Sequence, residues 1–150
     1  MKASIKVHGV ENLRVQLGHA ALRVADSARK TMHRGADKIV AEAKLNTPVD
    51  EHNLEATIRK EVSYEYRGRL KVTITFGGEI NGVNVDQYAM RVHENYEGML
   101  RKGPGPGTLA KMAANPGRII GSKFLERAVT DQKDSLMKKM VSVVLSEWKI

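Results

Sequence analysis

Cysteine is absent from this 150-residue chain, which excludes disulfides, thiolate metal sites and cysteine nucleophiles. Aromatic side chains are scarce, 5% of the total, so a core has to be built from Leu, Ile, Val, Met and Ala. No apolar run approaches the ~20 residues that a membrane span requires. The opening Met1-Lys2-Ala3-Ser4 leads into alternating polar and apolar residues, so no signal peptide is expected. With no cysteine and no export signal, a reducing cytosol is the expected compartment. Acidic residues are outnumbered, 17 against 25 Lys and Arg, which leaves a formal charge of +8. That balance favours polyanions or acidic partner surfaces and says little about fold.

What is present fits a single domain over residues 1–150, long enough for a genuine core and too short for two. Leu13, Leu17, Ala21, Val24, Ala28, Met32, Ile39 and Ala43 recur mostly every three or four residues, the stripe of a long amphipathic helix. Gly9 precedes it, and Gly35 makes a bend expected near its middle. Asn46-Thr47-Pro48 ends it, because the residue before a proline is pushed out of the α region. Asp50 is then the candidate cap of a short turn holding Asn53 and Leu54.

The period next changes to two. Ile58, Val62, Tyr64 and Tyr66 share one side of a strand, with Arg59, Glu61 and Glu65 on the other. After a turn at Arg67-Gly68-Arg69, Leu70, Val72, Ile74 and Phe76 alternate with Lys71, Thr73 and Thr75. A hairpin with one wet face follows, and both helices are expected to cover its Tyr64/Tyr66 and Leu70–Phe76 side. Val83 to Val92 reads as a further strand, or as a short helix opened at Asp86-Gln87-Tyr88. Residues 95–121 are rich in Gly and Pro and read as a long flexible loop or arm, with one helical turn at Leu109–Ala113. A last helix, capped by Ser122, carries the stripe Phe124, Leu125, Ala128, Val129, Leu136, Met140, Val143 and Val144. The order predicts an α+β fold, an antiparallel sheet packed by a long N-terminal and a C-terminal helix.

Catalytic patterns are missing. The five histidines, His8, His19, His33, His52 and His93, show no metal-ligand spacing, and Glu97 stands where His93-Glu94 would need a second histidine. Gly103-Pro104-Gly105-Pro106-Gly107-Thr108 lacks the Lys-[Ser/Thr] of a phosphate loop, and its prolines remove backbone donors. There is no Gly-x-Ser-x-Gly elbow. No catalytic residue, metal, cofactor, membrane contact or small-molecule substrate is therefore expected. The basic residues Arg101, Lys102, Lys111 and Arg118 crowd the arm, with His93 and Glu94 just before it. These six are the candidate assembly interface, since a positive arm can reach an acidic neighbour or a DNA backbone.

Three passages in this order carry a resemblance. Ala41-Glu42-Ala43-Lys44-Leu45-Asn46-Thr47-Pro48-Val49-Asp50 leads into Leu54 and Ile58; Tyr88-Ala89-Met90-Arg91-Val92-His93-Glu94 follows; Phe124-Leu125-Glu126-Arg127-Ala128 opens the last helix. They resemble the tail-completion or head–tail joining (neck) proteins of long-tailed bacteriophages across nearly the whole chain. Those proteins place Thr-Gly after the Asp, where Glu51-His52 stands here, and a proline shortly before the Phe, which is missing. The resemblance implies a non-enzymatic structural subunit of the virion, assembled in the host cytoplasm. It would form a homo-oligomeric ring, expected to be a hexamer, between connector and tail-tube proteins. DNA would pass through its lumen without specific recognition. The alternative, from charge alone, is a small basic DNA-binding accessory protein.

Overall fold

The helical stripe over the first third of the chain produces one uninterrupted helix, α1 (Val10–Asn46). The structure is a computed structural model and describes residues 9–49 and 51–148. Gly9 starts α1 at φ +89°, a left-handed conformation that suits glycine. Thr47 ends it, its hydroxyl donating to the Ala43 carbonyl at 2.6 Å. At Gly35 another element approaches closely, and a Cβ there would run into the side chain of Leu136.

After Pro48 come α2 (Asn53–Thr57) and the antiparallel pair β1 (Arg59–Glu65) and β2 (Arg69–Thr75), joined by a 3-10 turn over Tyr66–Gly68. A second, two-residue pair, β3 (Glu79–Ile80) and β4 (Val83–Asn84), follows the Gly77-Gly78 turn. Then come α3 (Asp86–Met99), α4 (Pro106–Ala114) and α5 (Phe124–Glu147). The fold is α+β, as its alternating periods predict.

α1 and α5 lie antiparallel. Asn46 reaches the Phe124 carbonyl, Gly35 faces Leu136, and the Ser27 hydroxyl meets the Glu147 carboxylate at 3.1 Å. The core sits where the C-terminal half of α1 and the start of α5 meet α2 and α3. Ile39, Ala43, Leu54, Ile58, Val85, Ala89, Val92, Phe124 and Ala128 are all buried there.

Three expectations need correcting, and one open alternative is decided. Tyr64 and Tyr66 are 62% and 82% exposed, although Leu70 and Val72 on the neighbouring strand are half-buried. The hairpin runs on past the core, so the Tyr64 and Tyr66 end stays bare, while Lys60 near the start of β1 still pairs with Asp37 of α1. The Val83–Val92 stretch gives a short strand and then a helix, because Val85, Ala89 and Val92 bury one helical face. The stretch 95–121 holds the end of α3 and the nine-residue α4, with Pro106 in the first turn where proline is tolerated. Ser122 does not cap α5. Lys123 precedes the helix at φ +57°, and Ser122 bonds Glu97 instead. The cap proposed at Asp50 lies outside the described residues.

His52, which replaces the glycine of the phage pattern, sits at φ +62° ahead of α2. A side chain in that left-handed region costs about 1–2 kcal/mol against glycine. His52→Gly is therefore expected to stabilise, by about 1 kcal/mol once the freer unfolded chain is counted. Urea denaturation with an unchanged slope would read it; a lower midpoint would contradict the assignment.

Candidate assembly surface

The six candidate interface residues do not form one patch. Two chemistries separate them, and burial decides which is which.

Lys111 rises from α4 into the gap left where α1 ends. Its ammonium donates to the Thr47 carbonyl at 2.9 Å, to the Lys44 carbonyl, and to the Glu55 carboxylate at 2.9 Å. A lysine at this point satisfies carbonyls that a helix C-terminus leaves without partners, and the dipole there favours a cation. Arg118 does the parallel work one turn back, bonding Glu42 at 2.6 Å and the Asn46 side chain at 2.9 Å. Thr108, 1% exposed, accepts from the Val49 N–H at 2.9 Å and donates to the Val49 carbonyl at 2.8 Å. The Tyr96 hydroxyl adds a third bond to it. These ties hold α4 and Arg118 against the end of α1.

His93 is buried in the core. Its ring stacks on Phe76 with centroids 5.1 Å apart and meets the edge of Phe124 at 4.8 Å. Nδ1 lies 2.9 Å from Glu94, while Nε2 is buried with no partner among the described residues. Glu94 also pairs with Lys123, and that hydrogen bond, with a smaller one from His93, holds its carboxyl below the usual range. Burial works against the charge of Glu97, but the hydroxyl and N–H of Ser122 keep that carboxyl low as well. Arg101 and Lys102 alone of the six are exposed and make no hydrogen bond or ion pair with another described residue.

The more extended surface is apolar. α5 ends beside Ser27 and Arg23, yet α1 runs on towards its start for several more turns. Every residue from Val10 to His19 is exposed. Val10, Leu13 and Leu17 continue the row of Val24, Ser27 and Thr31 that faces α5, so a helix-pairing seam extends past the end of its partner. On α5 a second stripe, Met137, Val141, Leu145 and Trp148, points away from α1, with Leu145 69% exposed. Charge spacing led the sequence reading to the arm, whereas the seam was already written in its own stripe from Leu13.

A cleft of ≈ 380 Å³ opens between α2 and the end of α3, lined by Pro48, Val49, Leu54, Tyr88, Val92, Tyr96 and Met99 among others. It is wide enough for an apolar side chain. Among the described residues no three His, Asp or Glu side chains gather as a metal site, and no helix is long and apolar enough to cross a membrane. No family model, curated protein or solved structure matches the chain.

Proposed function

We propose that this chain is a non-enzymatic structural subunit of a phage virion, forming a ring at the neck that joins or completes the tail at the head–tail interface. The observation that carries the reading is the α1 seam that outruns α5. A contiguous exposed apolar row of this kind marks an interaction surface. A seam at one end of the molecule and a bare stripe along α5 are different patches. Contact between different patches of identical subunits is head-to-tail, and head-to-tail contacts form a ring where the rotation closes and a filament where it does not. The ordered motif resemblance supplies the neck as the site. The connector on one side and the tail tube on the other are then the neighbours.

Native mass spectrometry at micromolar concentration should show one closed oligomer, expected to be a hexamer. Leu13→Asp/Leu17→Asp should leave helicity intact and shift the particle to monomer. A wild-type chain that stays monomeric at high concentration would remove the ring. Antibody against the chain should label the head–tail junction of virions, and label elsewhere would move the subunit from the neck.

A further inference from the structure

Among the described residues nine Lys and Arg side chains are already matched, Arg23 with Glu147 being one of them. Lys30, Arg59, Lys60, Arg69, Lys71, Lys111, Arg118 and Lys123 each have a carboxylate within 4 Å. Arg34, Lys38 and Lys139 do not. None of the three has a hydrogen bond or ion pair with another described residue, and all three line one groove between α1 and α5.

We infer that this groove is a sequence-independent binding face for the phosphate backbone of duplex DNA. Arg34 and Lys38 stand one turn apart on α1, about 6 Å along the axis. Lys139 comes from the facing row of α5. Gly35 makes the convergence possible, because its missing side chain lets Leu136 close in and brings the two helix rows together. The remaining lining is Thr31, Gln132, Ser135 and Leu136, and no carboxylate opposes the cations.

The groove's size settles the kind of ligand. Its ≈ 30 Å³ holds about one water, far below the ~300 Å³ at which small-molecule pockets begin. An extended polyanion lying across it can meet all three charges. No aromatic ring lines it, so bases have nothing to stack on. A protein partner would want an apolar centre, and the exposed apolar residues of α5 lie on its other side. What remains is backbone contact without readout of sequence. This inference stands independently of the ring reading, since it rests on one subunit's surface.

The test is fluorescence anisotropy of the full chain with two 30-bp duplexes of unrelated sequence, from 50 to 200 mM NaCl. Three neutralised phosphates predict a log–log salt slope of about −2.7, an affinity loss of about 40-fold over that range. Both duplexes should give the same curve. Arg34→Gln/Lys38→Gln/Lys139→Gln should abolish most of the slope, with circular dichroism and melting unchanged. A control of equal charge, Arg14→Gln/Arg101→Gln/Lys102→Gln, should keep it. Equal losses in both variants would reduce the effect to net charge and overturn the site. So would a wild-type chain that fails to bind at 50 mM, or curves that differ between duplexes.

Discussion

Phe124→Ala is expected to lower stability by about 3–5 kcal/mol, the range for deleting a buried aromatic ring. Phe124 is fully buried and holds three elements at once. Its ring meets Phe76 edge-on at 5.1 Å and His93 at 4.8 Å, and it stands at the first position of α5 against Ile39 and Ala43 of α1. Removing it opens a space beside the buried His93 Nε2, so the cavity has a polar wall. For a domain of this size the loss corresponds to a melting point about 10 °C lower. Phe124→Leu, which keeps most of the volume, should recover a large part. A melting shift of only a degree or two for the alanine variant would mean that α5 docks by some other contact.

Lys111→Met comes next, with an expected loss of about 2–3 kcal/mol. Methionine keeps the length and apolar stem, so the change isolates the ammonium group. Without it, Glu55 and the Lys44 and Thr47 carbonyls lose their shared donor in a partly enclosed site. Removing one partner from a fully buried ion pair costs about 3–5 kcal/mol, and the partial exposure of Glu55 trims that figure. The matched change Glu55→Leu should return part of the loss in the double variant, since no carboxylate is then left alone. Strict additivity in a denaturant-melt cycle would show that the two groups act separately. An isolated surface pair would give at most about 1 kcal/mol, so the size of the effect alone distinguishes a fastening from decoration.

The long elements were legible because each repeats its pattern several times. α1 and α5 carry stripes of three and four, and β2 alternates without error from Leu70 to Phe76. Pro48 marks the end of α1 by a steric rule that needs no context. The misses have equally local causes. Around Val83–Val92, Val83 and Val85 alternate like a strand, while Val85, Ala89 and Val92 keep helical spacing; only burial decides between them. In α4 the turn read at Leu109–Ala113 is present, but the glycines and prolines hid that the helix already starts at Pro106. The site was harder. Counting charge along the chain grouped Lys111 and Arg118 with Arg101 and Lys102, yet the first two face inward because α1 ends beside them. Arg34, Lys38 and Lys139 were separated by a hundred residues and met only when α5 folded back.

That return path sets the order of events during synthesis. The contacts of Asn46 with Phe124 and of Ser27 with Glu147 span 78 and 120 residues. The first helix emerges early, and its row from Val24 to Ala43 has to wait for the last helix before it is covered. Contacts of such long range slow folding, because chain closure comes before any reward. A ribosome-bound intermediate therefore displays an apolar helix for most of the translation time. Neighbouring nascent chains could then pair through the same row before either has a body. Holding that surface apart until α5 arrives becomes a task for chaperones, and the yield of folded protein should depend on them.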